Sequence, residues 1–248
     1  MITEQTLEDR PQEISAQPTV QNGYKKRDLP PLESGDRLTR QEFERRYHAM
    51  PYVKRAELIE GIVYIASPVR FKSHSKPHAQ GMTWLGVYWS ATPNIQLGDN
   101  ATVRLDPDNE VQPDALLRIE PEQGGSSQIS DDDYIEGTPE LIVEVAYSSA
   151  SYDLHDKLEV YRRNGVKEYL VWKTYDNKLD WFWLHKGEYV LLKPDTSGVI
   201  RSKVFPGLYL AVKELLKGNL SEVLSVLQNG LQKDEHREFV EQLSKTSG

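Results

Sequence analysis

Two acidic residues lie inside apolar segments, where a charged side chain is least expected. Glu144 is the only charge in LIVEVA (141–146), and Asp114 lies within VQPDALLRI (111–119). A buried, unpaired carboxylate costs several kcal/mol, so each acid needs a cation, a proton or hydrogen-bond donors. If the two segments form neighbouring strands, both carboxylates can converge on one divalent cation, and Mg²⁺ prefers carboxylate oxygens and water as ligands.

The two acids are more informative together than singly. Taken alone, either acid is better explained as a hydrogen-bonded residue at the end of a strand. LIVEVA is apolar and rich in β-branched residues, which is typical of a central strand that is covered on both faces. Two such acids in two apolar strands favour a shared cation.

A lysine follows the second acid on a predicted helix, SYDLHDKLEVYRRNGV (151–166). The apolar stripe of this helix consists of Leu154, Leu158 and Tyr161. Lys157 lies at the margin of the stripe, roughly 70° from its centre. A helix that packs its stripe on the sheet can bring this ammonium close to Glu144, and Asp153 on the same side can orient it. The pattern is equally compatible with a surface Asp153–Lys157 pair.

The composition excludes several kinds of site. The chain of 248 residues contains no cysteine, which rules out disulfides, thiolate metal sites and cysteine nucleophiles. A formal net charge of -8 and a pI near 5.4 argue mildly against a general polyanion binder, although a local group of Lys and Arg matters more. There is no apolar run of membrane-spanning length and no signal-peptide pattern, so we expect a cytoplasmic protein without a membrane partner.

The segments around these residues alternate between strand and helix patterns. AELIEGIVYIA (56–66) predicts two strands turned at Glu60-Gly61, and a helix is predicted from His78 to Ser90. Three further strands are predicted after the lysine helix, in KEYLVWK (167–173), KLDWFWL (178–184) and EYVLLK (188–193). This order predicts an α/β fold in which helices flank a mixed sheet.

The patterns divide the chain into three parts. Residues 1–35 are polar and contain proline without a sustained period, which predicts a disordered or loosely docked tail. Residues 36–210 carry the strand and helix patterns of the main domain. Residues 211–248 have helical spacing and predict a C-terminal helical extension.

Three segments carry motifs that occur together in one enzyme family. They are AELIEGIVY (56–64), QPDALL (112–117) and LIVEVAYSSASYDLHDKLEVYRRNGVKEYLVW (141–172). With these motifs, the chain from Leu38 to about Leu210 resembles the Uma2 family of endonucleases, a branch of the PD-(D/E)XK restriction-endonuclease-like superfamily. The resemblance implies a restriction-endonuclease-like α/β fold, with a mixed central sheet flanked by helices and extra antiparallel strands, and an endonuclease domain over residues 36–210.

The resemblance also assigns roles to residues. It makes Asp114 the motif aspartate of the family and Glu144 the second acidic residue. The superfamily pattern places a lysine two residues after that acid, where this chain has Ala146. The resemblance implies that the lysine has moved to the next helix as Lys157. Such a move is physically reasonable, because catalysis requires an ammonium group at a point in space, wherever in the sequence it originates.

A third carboxylate completes the set of expected catalytic residues. Glu57 matches the acidic position in the first strand region of the family, where superfamily members often supply another carboxylate near the metal. Glu60 is a rival for this role, although its place beside Gly61 suits a turn.

The resemblance, together with these residues, implies Mg²⁺- or Mn²⁺-dependent hydrolysis of phosphodiester bonds in DNA. Asp114 and Glu144, with a backbone carbonyl near Val145, are the expected metal ligands, and Lys157 is expected to act on the attacking water. Close carboxylates repel each other, so Asp114→Asn is expected to stabilise the metal-free protein. The alternatives are an inactive nuclease-fold module that binds nucleic acid or protein, and hydrolysis of another phosphorylated substrate. A homodimer is expected if both DNA strands are cut.

Other polar residues carry weaker signals. His74 and His78 have Pro77 between them, which argues against a zinc pair on one helix, and His78 is better explained as a capping or surface residue than as a phosphate contact. A basic group is either a phosphate track or a solvated loop, and it consists of Arg70, Lys72 and Lys76.

Overall fold

The computed structural model describes residues 29–147 and 150–245, without the side chains of residues 150–154. Every helix and strand of the described residues belongs to one compact unit that begins at Pro31. Most of the predicted tail lies outside the described residues, but Leu32 is buried, so packing on the domain begins before residue 35. No helix within the described part of the chain is long and apolar enough to cross a membrane.

The described chain contains runs of strands separated by single helices and ends in three consecutive helices. The first half contains α1 (Arg40–His48), β1 (Ala56–Ile59), β2 (Ile62–Ile65), α2 (Lys76–Ser90), β3 (Ile95–Asp99), β4 (Val103–Asp106), β5 (Asn109–Val111), β6 (Ala115–Ile119), β7 (Ser127–Ile129) and β8 (Ile135–Gly137). The second half contains β9 (Leu141–Ala146), α3 (Ala150–Asn164), β10 (Glu168–Lys173), β11 (Lys178–His185), β12 (Glu188–Leu191), β13 (Val199–Arg201), β14 (Tyr209–Ala211), α4 (Val212–Lys217), α5 (Leu220–Leu231) and α6 (Asp234–Leu243).

A mixed six-stranded sheet forms the centre of the domain, in the order β12-β11-β10-β9-β6-β3. All six residues of β9 are buried, as the pattern of LIVEVA predicts. This strand pairs in parallel with β10 and antiparallel with β6. The three strands predicted after the lysine helix are β10, β11 and β12, and they are confirmed. The predicted mixed α/β architecture is therefore confirmed.

A second six-stranded sheet has the order β2-β1-β5-β4-β8-β7. Its hairpin β1-β2 turns at Glu60 and Gly61, as predicted, and both residues have positive φ, 53° and 71°. Strand β5 of this sheet is joined to β6 of the central sheet by the link 112–114. This short link places Asp114 between β1 on one side and β9 on the other.

Two helices complete the frame of the site. Helix α3 follows β9 and contacts β9, β10 and β1. Helix α2 begins at Lys76, two residues before the predicted start, and a π-helical turn (Phe71–Ser75) precedes it. Pro77 lies in the first turn of α2, where its missing N–H would have no partner within the helix.

The C-terminal helices pack in the same hydrophobic cluster as the central sheet. Buried members of this cluster come from β6, β10, α4, α5 and α6, and they include Leu117, Leu170, Leu215, Leu227 and Leu243. The helices of residues 211–245 therefore cover one face of the sheet.

Candidate active site

Asp114 and Glu144 lie opposite each other at one end of the central sheet. The register pairs Ala115 with Val143 in the antiparallel β6–β9 ladder, so the next position along the ladder pairs Asp114 with Glu144. The backbone N–H of Val145 donates to Asp114 Oδ2 over 2.7 Å. Both acids are almost completely buried, at 2% and 3% exposed. The structure thus brings the two predicted metal ligands to neighbouring strands.

Lys157 reaches the same point from helix α3. Its Nζ donates to Glu144 Oε1 over 2.7 Å and to Glu57 Oε1 over 3.0 Å. The hydroxyl of Tyr161, one turn further along the helix, also donates to Glu144 Oε1, over 2.9 Å. Lys157, Val160 and Tyr161 are buried, whereas Leu158 is only partly buried. Lys157 therefore lies within the inward face of the helix, not at its margin, and the side chain of Asp153 lies outside the described residues.

Glu57 joins these residues from strand β1. Besides the ammonium of Lys157, its Oε1 accepts the backbone N–H of Gln112 over 2.7 Å. Glu60, the rival acid, belongs to the hairpin turn and forms an ion pair with Arg163. The structure therefore places Glu57 at the site and directs Glu60 elsewhere.

Arg55 contacts both predicted metal ligands. Its guanidinium donates to Asp114 Oδ1 over 2.8 Å and lies 3.9 Å from Glu144 Oε2. It also donates to the carbonyl of Gln112. The sequence analysis missed this residue, although Arg55 and Glu57 are two positions apart and therefore point to the same side of an extended segment.

Two histidines also reach Asp114. His74 Nε2 lies 3.2 Å from Asp114 Oδ1, and His78 Nε2 lies 2.9 Å from the carbonyl oxygen of the same residue. The π-helical turn continues into α2, so the two imidazole centroids are 5.9 Å apart. The explanation of His78 as a capping or surface residue is thus wrong: its ring contacts Asp114 and lies 3.3 Å from Asp99 Oδ1.

The cations around Asp114 decide its protonation. Burial acts to raise the pKa of Asp114, but the hydrogen bond with His74 and the charge of Arg55 outweigh burial and hold the pKa well below its usual range. Burial acts to lower the pKa of Arg55, but the charges of Glu57, Glu144 and Asp114 raise it. Asp114 is therefore an ionised carboxylate beside a permanent guanidinium cation.

Ala146 occupies the position where the superfamily pattern places a lysine. Its side chain is buried in the apolar cluster that also contains Val160 and Tyr161 of α3. The ammonium that contacts Glu144 comes from Lys157 of α3.

A cavity of about 510 Å³ opens over these groups. Its wall contains all four predicted catalytic residues, Glu57, Asp114, Glu144 and Lys157. Arg55 and His74 also line it. Arg70 of the predicted basic group also lines the cavity. Trp181 does not belong to this surface, because it is fully buried and packs edge-on against Trp84 with ring centroids 5.7 Å apart.

The donor atoms are compatible with a Mg²⁺ or Mn²⁺ ion, with open positions. Within residues 29–147 and 150–245, no group of three or more Asp, Glu, His or Cys side chains is arranged to hold a metal ion by itself. Mg²⁺ commonly uses one or two carboxylates and completes its coordination with water and substrate phosphates. Asp114 and Glu144 supply two carboxylates on one cavity wall, and the guanidinium of Arg55 against both shows that a cation is accommodated between them.

The fold and the residues around the cavity define a nuclease-like α/β domain. Residues 40–213 match the model of the Uma2 family, which is described as "Putative restriction endonuclease". The match covers more than half of the chain, and the chain belongs to the Uma2 family.

A solved structure agrees with this fold. It is a crystal structure of "a putative nuclease belonging to DUF820" from Anabaena variabilis ATCC 29413, with a TM-score of 0.52 and 12% sequence identity. The alignment covers 70% of this chain and 96% of that chain. At this identity the likeness concerns the fold alone. No curated protein matches the chain.

Proposed function

We propose that this protein is a metal-dependent endonuclease that hydrolyses phosphodiester bonds in DNA. The observation that carries the proposal is the bridge formed by Lys157, whose ammonium contacts both Glu144 and Glu57 inside the cavity that Asp114 also lines. Two carboxylates can hold a divalent ion, and an adjacent ammonium can orient the attacking water and stabilise the charge that develops during phosphodiester hydrolysis. Membership of the Uma2 family supports a nuclease, and the metal ion and DNA are the parts that we add.

Asp114 and Glu144 would hold the Mg²⁺ or Mn²⁺ ion, with the carbonyl of Val145 as a further donor. When bound, such an ion lowers the pKa of a coordinated water and offsets charge on the phosphate. For the ion to bind there, the guanidinium of Arg55 must move away from the two carboxylates. Because Arg55 lines the open cavity, its guanidinium can then bind a phosphate oxygen of the substrate.

Lys157 is assigned to the attacking water and to the negative charge that develops on the phosphoryl oxygens. Its ammonium is held by Glu144 and Glu57, so it is fixed before the substrate arrives. Glu57 orients the lysine, and Tyr161 orients Glu144 through its hydroxyl. Water attacks phosphorus and releases a proton to solvent, the bond from phosphorus to one ester oxygen breaks, and that oxygen takes up a proton, which leaves a phosphate monoester and a hydroxyl.

The alternative is a module that keeps the fold and binds nucleic acid or protein without turnover. The specific observation that favours it is the direct salt bridge of Arg55 with Asp114, which neutralises a metal ligand internally. A homodimer remains a prediction, based on the need to cut two strands.

Cleavage and metal binding together test the proposal. Supercoiled and single-stranded DNA are incubated with the wild-type chain and Mg²⁺ or Mn²⁺, while calorimetry measures binding of each ion. We expect nicking that requires the ion and disappears in Glu144→Gln, which also binds the ion more weakly. A wild-type chain that binds neither ion and leaves both DNAs intact would favour the binding module.

A further inference from the structure

Several large apolar side chains are exposed where the cavity opens to solvent. Tyr175 is 75% exposed, Phe71 72%, Val69 59% and Tyr147 36%. Val69 and Tyr147 line the cavity, as does Arg70 between Val69 and Phe71. The name aromatic rim is used here for Val69, Arg70, Phe71, Tyr147 and Tyr175. Exposure of apolar surface beside a catalytic cavity points to a ligand that covers it.

The rim residues are connected to one another and to the fold. The guanidinium of Arg70 lies 6.0 Å from the ring centroid of Tyr147, and Tyr147 meets Tyr175 edge-on with centroids 5.7 Å apart. Thr174, beside Tyr175, donates through its hydroxyl to the carbonyl of Ser73 over 2.7 Å and through its backbone N–H to Ala146 over 2.9 Å. These bonds hold the three rim segments together, while the side chains of Phe71 and Tyr175 stay largely exposed.

The chemistry of the rim fits unpaired nucleobases. Aromatic rings and a guanidinium plane stack on any base, but bases inside a duplex present their edges and not their faces. Arg70 and the exposed Lys72 add positive charge beside the exposed rings, which suits the phosphate backbone of a strand. The same surface is continuous with the cavity of Asp114, Glu144 and Lys157.

We propose that the aromatic rim stacks unpaired bases next to the scissile phosphate, so that the substrate is DNA with a single-stranded stretch at the cut. The position of the scissile phosphate in this proposal rests on the proposed endonuclease function. Stacking itself requires only the rim.

Binding is measured by fluorescence anisotropy with the full chain in EDTA, so that no strand is cut. The probes are a labelled single-stranded oligonucleotide and a blunt duplex of the same sequence. We expect tighter binding of the single strand, about tenfold weaker binding by Tyr175→Ala, and retained affinity in Tyr175→Phe, because one stacked base contributes on this scale. Duplex affinity should change less than twofold.

Tyr52→Ala is the matched control, because Tyr52 is 70% exposed and does not line the cavity. It should leave single-strand affinity unchanged. Equal binding of single strand and duplex by the wild type, or unchanged affinity in both Tyr175→Ala and Phe71→Ala, would overturn the proposal. A rim variant that dissociates a dimer in sedimentation at unchanged DNA affinity would also overturn it and identify an interface between copies.

A parallel cleavage assay separates this proposal from the proposed function. If the wild type cleaves DNA with metal and the rim variants bind DNA normally, the stacking proposal is excluded and the endonuclease function is supported. If single-strand binding depends on the rim but no metal-dependent cleavage occurs, the stacking proposal is supported and the endonuclease function is excluded.

Discussion

Each end of the central sheet buries a pair of carboxylates, but the hydrogen-bond partners of the two pairs differ in kind. At one end, Glu140 accepts the backbone N–H groups of Ile119 and Ser126 over 2.8 and 3.0 Å. Beside it, Glu168 accepts a backbone N–H over 2.6 Å and a serine hydroxyl over 2.7 Å, from Lys203 and Ser202. Both carboxylates anchor loops, and neither residue lines the cavity. We call Glu140 and Glu168 the loop-anchoring pair.

At the opposite end, Asp114 and Glu144 form the cavity pair. One backbone N–H reaches Asp114, and cationic, imidazole and phenol side chains also contact the pair. Such partners can rotate away or exchange for a metal ion, whereas a backbone N–H of a fixed loop cannot. A buried acid is therefore common to both ends of the sheet, and we expect the kind of partner to distinguish a functional from a structural role.

The cavity pair and the loop-anchoring pair should differ most in their response to substitutions that remove a carboxylate charge. Glu144→Gln and Asp114→Asn are expected to lower Mg²⁺-dependent cleavage about a thousandfold or more and to weaken metal binding, because each removes a ligand charge. Glu140→Gln and Glu168→Gln should leave cleavage by folded protein within about threefold. They should lower Tm by several degrees, because an amide NH₂ then faces a backbone N–H donor.

Cleavage rates, calorimetry with Mg²⁺ and thermal melts on all four variants check this contrast. Loss of cleavage in Glu168→Gln at an unchanged Tm would contradict the division into two pairs.

The contacts of Asp114 argue against the expectation that Asp114→Asn stabilises the metal-free protein. Repulsion between two carboxylates alone predicts stabilisation. The folded protein instead holds the pKa of Asp114 below its unfolded value: burial opposes this, but His74 and Arg55 prevail. The ionised form therefore stabilises the fold at any pH above the unfolded pKa, and this contribution is lost as pH falls through the folded pKa. Asp114→Asn should consequently lower Tm at neutral pH.

The next contrast separates two lysines, one at each end. Lys157→Ala is expected to lower the cleavage rate about 10²- to 10³-fold without weakening Mg²⁺ binding, because the ammonium acts on charge that develops in the transition state. Lys167→Ala is the control, because Lys167 contacts Glu140 of the loop-anchoring pair over 3.3 Å. Its cleavage rate should be unchanged. Equal cleavage by wild type and Lys157→Ala would exclude Lys157 as the relocated lysine.

Arg55 tests whether the partners of the cavity pair are exchangeable. Arg55→Gln is expected to strengthen Mg²⁺ binding about tenfold, because the ion no longer displaces a charge-assisted hydrogen bond from Asp114. The metal-free variant should melt at a lower temperature, so that Mg²⁺ raises its Tm more than that of the wild type. Arg162→Gln is the control, because Arg162 pairs with Glu159 at the surface. Unchanged or weaker Mg²⁺ binding by Arg55→Gln would show that Arg55 does not compete with the ion.

Features of the fold and the site that produce strong local sequence patterns could be predicted, whereas features that depend on distant contacts could not. Strand β9, the β1-β2 hairpin and β10 to β12 were predictable because apolar runs and turn residues act over a few positions. Glu144 stood out because a charge interrupts such a run. Arg55 gave no such contrast, because it follows Lys54 in a polar segment and meets Asp114 only through contacts 59 residues apart.

The contacts of the histidines and of the loop-anchoring pair could not be predicted from the sequence for the same reason. A proline between His74 and His78 argued against one helix, but a π-helical turn lies before it and aligns both rings. Glu168 belongs to the segment 141–172 that carries the family resemblance, yet this segment does not show that the partners of Glu168 are Ser202 and Lys203. Partners that are distant in sequence decide these roles.

The smallest expected effect concerns the pH dependence of the loop-anchoring pair. Burial raises the pKa of Glu168 to about 7, although bonds from Lys203 and Ser202 act in the opposite direction. The unfolded acid loses its proton near its ordinary pKa of 4.5. Between these values the folded protein binds more protons than the unfolded chain, so the stability contributed by this group falls as pH rises from about 4.5 to 7 and is constant above that window.

Glu168→Gln cannot ionise, so the stability difference between wild type and this variant should shrink across that window, by a few degrees in Tm. Urea unfolding of both proteins at pH 5, 6, 7 and 8 measures this difference, and groups that titrate in both proteins cancel. Glu222→Gln, at an exposed position of α5, is the control and should show no such trend. Wild-type and Glu168→Gln curves that stay parallel from pH 5 to 8 would mean that Glu168 remains ionised throughout. In that case the bonds from Ser202 and Lys203 outweigh burial, and the two ends of the sheet would differ only in whether their partners can move.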